Sequence, residues 1–425
     1  MAALLFVLSD GRLRGAWCQG QNGIIMSAKR LACLVFCVFL STSWSQPQSP
    51  KRGGAPTLLR QKALLLETQG RTTEAEQAWH AFLQADPGSA EAYAHLGLLA
   101  SRAEDYEKAI PLYRKSLRLD SRVSGVRMNL GLALFKSEHL REAIQQFSQL
   151  LKSPATPQSD KMRLETLIGM AHYGLGEYAE SVPFLKDAAA ADQRNLTIRL
   201  ILAHSCLWSK QNQCVLDTYK EILSIDPQSA EADMLAGEAL DEMKNSQGAL
   251  EQFRAAEKAN PKEPDVHFGT GYLLWRSKQY PEAAAEFQLE LKNNPQHAQS
   301  MLYLGDVMLQ LNKPEEARRY LEKALADDSS GLANLDLGII DADAGRTSDA
   351  LRELQLSEKQ QPNEVNVHWR LGRLYRAMGR KEDARGEFEA ANKLNKAADE
   401  DLIKKMDDGR QHPPRSAADP STPQH

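Results

Sequence analysis

The chain has 425 residues, of which 42% are hydrophobic, 25% are charged and 7% are aromatic, and its formal net charge is −4. These proportions are ordinary for a helical protein of the soluble class. The mildly acidic balance excludes nucleic acid as the main partner, because the phosphate backbone requires a basic stripe and the sequence has none.

The first 45 residues have the layout of an export signal. A short basic segment, MSAKR at 26–30, precedes an uninterrupted apolar run, LACLVFCVFL at 31–40, and small residues two apart (SWS) then stand just before Gln46. We therefore expect residues 1–45 to form an upstream extension and a signal peptide that is cleaved before Gln46, with translation starting at Met26.

The length of the apolar run distinguishes export from anchoring. Its ten residues span about 15 Å as a helix, roughly half of the thickness of a bilayer core. We predict an exported protein that is periplasmic or secreted. The alternative is a protein anchored in the membrane by an uncleaved segment 31–40. The following residues 46–55, QPQSPKRGGA, have the composition of a flexible linker.

From residue 56 to residue 396 one pattern recurs with a period of roughly 34 residues. Each unit has a small residue, usually preceded by an apolar one, then a second small residue twelve positions later and a bulky residue four positions after that. In eight units the first small residue is glycine and in two it is alanine: Gly97, Gly131, Gly169, Gly237, Gly271, Gly305, Gly338 and Gly372, with Ala63 and Ala203.

The recurring glycine needs a physical reason, because glycine inside a helix costs about 1 kcal/mol relative to alanine. We infer that a side chain at this slot would collide with the paired helix, which we expect to come closest where the glycine faces the alanine. The bulky residue lies on the same face as that alanine and fills the space beside it. Prolines after Asp, Asn or Gln end five of the second helices. Ser89 and Ser229 are expected N-caps.

This arrangement resembles the tetratricopeptide repeat, a helix-turn-helix unit of this length and order of small and bulky positions. The resemblance implies an all-α fold, a right-handed α-solenoid (superhelix) of about ten helix-turn-helix tetratricopeptide repeats over residues 56–396. It also implies that the first helices line a concave groove that holds partner peptides or helices. We expect residues 397–408 to form a separate capping helix and residues 409–425 to be a disordered tail. Two prolines in the stretch 152–161 predict an enlarged loop between the third and fourth units.

Two cysteines, Cys206 and Cys214, remain after removal of the signal. They fall on the two helices of the fifth repeat, close to the turn between them. One interpretation is a disulfide formed in an oxidising compartment. The other is a pair of small buried hydrophobic residues that never react.

Catalytic and cofactor motifs are missing from the sequence. It contains no GxSxG, HExxH, GxxxxGK or CxxC, and no two histidines share the i, i+4 spacing of a helical metal pair. His267 and His368 occupy a slot that often carries an aromatic residue, and we interpret them as packing residues. We predict a protein that is not an enzyme and has no cofactor and no metal.

The groove face is predicted to begin one residue beyond that aromatic slot. In the seventh repeat this places Phe268, Tyr272 and Trp275 on one stripe at i, i+4 and i+7. The other candidate groove residues, from neighbouring repeats, are Met234, Leu302, Tyr303, Trp369, Arg373 and Arg376. One interpretation makes these residues part of the core, and the other makes them an exposed hot spot for binding.

We therefore predict a non-catalytic protein–protein interaction scaffold of a bacterial envelope, with protein partners and no nucleic acid. Contact with a membrane is expected only if segment 31–40 stays uncleaved. The alternative function is a membrane-anchored accessory subunit of an envelope assembly or polysaccharide export machine.

Overall fold

A computed structural model describes residues 55–411 of the chain, except residues 124, 155, 328 and 329. The predicted signal peptide, the linker up to residue 54 and the tail after residue 411 lie outside the described residues. The described part contains twenty α-helices and no strand, which confirms the all-α prediction.

The helices fall into two compact units, residues 55–263 and residues 264–411. The first unit holds twelve helices: α1 Ala55–Thr68, α2 Thr72–Ala85, α3 Ala90–Arg102, α4 Tyr106–Leu119, α5 Val126–Lys136, α6 Leu140–Leu151, α7 Gln158–Gly174, α8 Tyr178–Ala191, α9 Leu196–Trp208, α10 Asn212–Ile225, α11 Ala230–Glu242 and α12 Ser246–Ala259. The second holds eight: α13 Val266–Arg276, α14 Tyr280–Asn293, α15 Ala298–Gln310, α16 Pro314–Asp327, α17 Gly331–Asp343, α18 Thr347–Gln360, α19 Val365–Ala377 and α20 Lys381–Gln411.

Successive helices pair as the repeat pattern predicts. Within each unit every odd-numbered helix packs against the even-numbered helix that follows it, and this second helix packs against the first helix of the next repeat. Most first helices of successive repeats also touch one another within each unit. The described residues therefore form ten helix-turn-helix repeats, stacked as a solenoid within each unit, because one pair alone cannot bury its apolar face.

The glycine slot marks the closest approach of the two helices in a repeat. A methyl group added at any of the eight glycines would come within 3.0 Å of the bulky side chain sixteen residues later. At Gly305, for example, it would lie 2.6 Å from both Cγ and Cδ2 of Leu321. The predicted collision with the paired helix is confirmed, but the first atoms met belong to the bulky side chain and not to the alanine.

The turn inside every repeat contains a left-handed residue seven positions after the small-residue slot. Their φ angles run from 59° to 77°, and the residues are Gly70, Glu104, Glu138, Gly176, Lys210, Lys244, Lys278, Asn312, Gly345 and Gly379. Six of these ten are not glycine, although the left-handed region costs an ordinary residue about 1–2 kcal/mol. The packing of the two helices therefore imposes this turn, and residue type alone does not predict it.

Caps and helix ends follow the sequence signals in most repeats. Ser89 and Ser229 accept hydrogen bonds from the backbone N–H groups of Ala92 and Ala232. Each of the five prolines that close a unit lies two residues after the last helical residue, as predicted. In the stretch 152–161, the extra residues only partly lengthen the loop, because α7 already begins at Gln158.

The last helix differs from the prediction. Helix α20 runs without a break from Lys381 to Gln411, so residues 397–408 are its continuation and not a separate capping helix, and residues 409–411 still belong to it. Lys396 occupies the position at which other repeats have their closing proline. Without that proline, a segment rich in Ala, Glu and Lys has no reason to end its helix there.

The glycine contact generates a stability prediction. Gly305→Ala should lower the free energy of unfolding by about 1–3 kcal/mol, because Leu321 is fully buried and must move away from the new methyl group. The matched control is Gly386→Ala in α20, where a methyl group would meet no atom within 4 Å. This control should be neutral or should stabilise by up to about 1 kcal/mol. Urea unfolding measures both, and equal effects of the two substitutions would contradict the assignment.

Cys206 on α9 and Cys214 on α10 meet across the turn of the fifth repeat. Their Sγ atoms lie 2.04 Å apart and their Cα atoms 5.8 Å apart, which is a disulfide. The pairing is that of the first of the two interpretations, and its formation in the native compartment stays a prediction.

We predict that both cysteines resist alkylation when the protein is unfolded without reductant, and that both react after reduction. Peptide mass spectrometry of the alkylated protein reports each residue separately from the cysteines near the N-terminus. Two alkylated residues before reduction would show that the pair does not oxidise in its native compartment.

Candidate functional site

Four aromatic rings from α13 and α15 pack together in the second unit, and we call them the aromatic cluster: Phe268, Tyr272, Trp275 and Tyr303. Tyr303 lies at the centre, with its ring centroid 5.9 Å from that of Phe268, 5.3 Å from that of Tyr272 and 4.8 Å from that of Trp275. Tyr272 stacks on Trp275 at 5.6 Å. The structure thus brings together the stripe predicted in the seventh repeat and its predicted neighbour from the eighth.

The cluster extends from the core toward solvent. Phe268 is only 1% exposed and packs against Phe287, so it belongs to the core. The other three rings are half-buried. Each of the two interpretations of this stripe therefore describes part of it, since one ring anchors the cluster and three present a fixed partial surface.

A buried carboxylate fixes the polar edge of the cluster. Trp275 Nε1 donates a hydrogen bond to Asp306, whose other oxygen accepts one from Gln310 at 3.2 Å. Burial, together with the neighbouring Tyr272 and Asp306, raises the pKa of the Tyr303 hydroxyl above its usual value. The Tyr303 hydroxyl is therefore uncharged at neutral pH. The indole nitrogen of Trp275 already donates its hydrogen bond within the repeat stack.

Asp336 on α17 is a second buried carboxylate that sequence reasoning missed. It is 3% exposed, and its Oδ2 has no hydrogen-bond partner among the described residues. Burial and the nearby Asp306 raise the pKa of Asp336 well above its usual value, while Arg370 acts in the opposite direction. The only signal in the sequence is an aspartate between two leucines in a first helix.

The remaining predicted groove residues of the second unit divide by exposure. Leu302 is half-buried and packs against the core. On α19, Trp369 is 41% exposed with its ring 4.9 Å from that of Phe388. Arg373 and Arg376 are exposed, and the Arg376 guanidinium lies 5.8 Å from the Phe388 ring. This helix therefore presents an aromatic and cationic surface.

Met234 belongs to the first unit. It lies on α11 and is buried, so it offers no exposed surface of its own and fits the core interpretation.

Histidines of the aromatic slot are buried as expected but do more than pack. His267 and His368 each place Nδ1 within hydrogen-bond distance of a glutamate on the following helix, at 2.8 Å from Glu286 and 2.7 Å from Glu387. Their interpretation as packing residues is therefore incomplete.

Among the helices that the structure describes, none is both long and apolar enough to cross a bilayer. The apolar run 31–40 lies outside these residues.

Comparison with known proteins finds relatives that match part of this chain. The chain is 25% identical over 169 residues to the human protein O-mannosyl-transferase TMTC1, a segment that is 39% of this chain and 19% of that protein. It is also 25% identical over 174 residues to anaphase-promoting complex subunit 3 of Schizosaccharomyces pombe, which is 41% of this chain and 26% of that protein. The chain thus spans less than a third of the length of these relatives.

Comparison with solved structures gives matches at low sequence identity. YrrB, described as a TPR protein with an unusual peptide-binding site, matches with a TM-score of 0.39 and 20% identity, covering 48% of this chain and 99% of that chain. A chain of the APC/C hetero-tetramer Cut9–Hcn1 matches with a TM-score of 0.39 and 13% identity, covering 80% of this chain and 87% of that chain.

The family model of the tetratricopeptide repeat matches residues 60–123, 128–203, 234–296, 271–332 and 335–399. These segments cover well over half of the chain, and the helix pairs, the glycine contacts and the turns recur with the same period. The chain therefore belongs to the tetratricopeptide repeat family.

Proposed function

We propose that this protein is a non-catalytic, exported interaction scaffold that holds a partner peptide or helix against the first helices of residues 264–411. The repeat family and the paired helices support the role of a protein-interaction scaffold. Export and the binding surface are the additional steps of the proposal. They rest on the N-terminal sequence and on the aromatic cluster, respectively.

The half-buried rings of Tyr272, Trp275 and Tyr303 are the observation that carries the binding surface. Aromatic residues dominate binding hot spots because they bury a large area with few rotatable bonds. Here the rings hold one another in place and Asp306 holds the indole, so little side-chain freedom remains to be lost on binding. Such a surface suits an apolar anchor side chain of a partner.

Positive charge on the tenth repeat indicates the chemistry of the partner more closely. Arg373 and Arg376 are exposed on α19 beside Trp369. An acidic group of the partner would find complementary charge here, and complementary charge contributes mainly to specificity and association rate. We therefore propose a partner segment with apolar side chains and at least one carboxylate.

Transferase activity is not carried over from TMTC1, because this chain spans 19% of that protein. The second candidate function, a membrane-anchored accessory subunit of an envelope assembly or polysaccharide export machine, uses the same binding surface. It is favoured over the first only if the apolar run 31–40 is retained.

The binding surface is tested with Tyr272→Ala combined with Trp275→Ala. Loss of both rings should reduce capture of crosslinked protein partners from envelope extracts at least tenfold, since hot-spot truncations remove about 2 kcal/mol or more. Circular dichroism and thermal unfolding of the variant report whether the fold survives.

A matched control is Leu356→Ala, which truncates an exposed leucine on the second helix α18. It should leave capture unchanged. If the double variant folds and captures the same partners in the same amounts as the unaltered protein, the groove assignment is wrong.

The N-terminus of the processed protein distinguishes export from anchoring. We expect the mature chain to begin at Gln46, because the small residues before it form a signal-peptidase site. Edman sequencing or terminal-peptide mass spectrometry of protein purified from its native source makes the measurement. A chain that begins at Met26 would replace the exported form with the anchored alternative.

A further inference from the structure

Three side chains from three successive helices converge in the last repeat of the second unit. Glu358 lies on α18, His368 on α19 and Glu387 on α20. One potential ligand atom of each residue lies within 4.8 Å of the other two. His368 is buried, and the two glutamates are half-buried.

The hydrogen bonds of His368 determine which nitrogen faces the carboxylates. Its Nε2 lies 2.9 Å from the carbonyl oxygen of Pro362. A carbonyl oxygen only accepts, so Nε2 carries a hydrogen and donates it. Nδ1 therefore points at the carboxylates, 2.7 Å from Glu387 Oε2. Histidines that bind metals characteristically donate their second ring N–H to a backbone carbonyl or carboxylate in this way.

Such a site is occupied either by a proton or by a cation. Without a cation, Nδ1 of His368 lies within hydrogen-bond distance of Glu387, and Glu358 lies nearby. Although burial lowers the pKa of His368, the contacts with Glu387, Pro362 and Glu358 outweigh it and raise that pKa overall. Burial and Glu387 also raise the pKa of Glu358. Both carboxylates therefore favour a positive charge at this position.

The same spacing occurs a second time in the sequence. Glu257, His267 and Glu286 repeat the separations of ten and nineteen residues found for the first set. His267 Nδ1 also lies 2.8 Å from Glu286 Oε2. A histidine followed by a glutamate on the next helix is thus a recurring arrangement in this unit and not a single chance contact.

We propose that Glu358, His368 and Glu387 bind a divalent transition-metal cation, zinc being the best match. One imidazole nitrogen and two carboxylates are ligands that zinc accepts, at about 2.0–2.2 Å, and a water completes a tetrahedron. The cation binds Nδ1 of the neutral imidazole, so any proton on Nδ1 leaves to solvent. The three ligand atoms lie within 4.8 Å of one another and would have to move closer together around the cation.

The proposed cation would connect the ninth and tenth repeats. Glu358 is in the second helix of the ninth repeat, and the other two ligands are in the two helices of the tenth. Binding would therefore hold the last repeat to its neighbour and stabilise this end of the unit. This role does not depend on the proposed partner surface.

Isothermal titration of zinc chloride into the full-length, chelator-treated protein tests the proposal. His368→Gln should remove one bound zinc ion per chain, and Glu358→Gln should weaken that site at least tenfold. The matched control is His80→Gln, which removes an exposed histidine beside Glu76 and should retain the site.

Thermal unfolding adds a readout of the structural role. Zinc should raise the unfolding temperature of the unaltered protein and of His80→Gln, and raise it less in Glu358→Gln. If His368→Gln does not fold, Glu358→Gln decides the question, because that residue is half-buried and its amide keeps the same size. Zinc isotherms of Glu358→Gln and the unaltered protein that coincide in stoichiometry and affinity would overturn the proposal.

Discussion

The close contact between a glycine of the first helix and a bulky side chain of the second helix is the constraint on which each repeat depends. The absence of a Cβ atom lets the two helices approach until the bulky residue fills the space over the glycine. The two repeats with alanine at this slot differ from each other. In the repeat of Ala203, Tyr219 is only half-buried, and its hydroxyl lies within hydrogen-bond distance of Asp233 and Gln252. In the repeat of Ala63, Trp79 stays buried with its indole N–H bonded to Glu67.

In the tenth repeat, the contact between the glycine and the bulky residue has no further repeat beside it among the described residues. Phe388 lies over Gly372 but remains half-buried, and Trp369 and Arg376 of α19 cover its ring. Trp369 therefore has a structural role as well as an exposed face. Glu358 of the ninth repeat meets His368 and Glu387 of the tenth, so polar groups lie beside the apolar contacts between these two repeats. The proposed cation at this set would connect the two repeats directly.

The proposed partner surface and the core are continuous in the second unit. Phe268 is buried, and the three half-buried rings pack around it and against one another. Asp306 ties the indole of Trp275 to the next repeat. A surface built in this way is rigid because the same side chains stabilise the stack. Truncating a ring therefore affects both packing and binding, and a measurement of folding must accompany any measurement of capture.

Sequence reasoning reached the fold and most of the first-helix stripe, because both depend on residues a few positions apart. The period of the glycine slot predicts paired helices, and the spacing of Phe268, Tyr272 and Trp275 places them on one face without knowledge of any neighbour. Residue type alone does not predict the left-handed turns, because lysine, glutamate and asparagine occupy a conformation that glycine adopts more easily. The prediction of a separate capping helix was also wrong, because α20 continues through residues 397–408. The missing proline at position 396 already indicated this in the sequence.

The sequence could not predict which charged side chains meet, for a different reason. Asp306 of the eighth repeat raises the pKa of Asp336 in the ninth, and the ligands of the proposed cation come from three helices, so no local spacing connects these residues. The sequence by itself determined the repeat, its helices and the faces that turn inward, because these follow from contacts within one helix pair. Only the tertiary structure decided which aromatic rings stay half-buried and which charged groups meet, because the packing of one repeat on the next sets those distances.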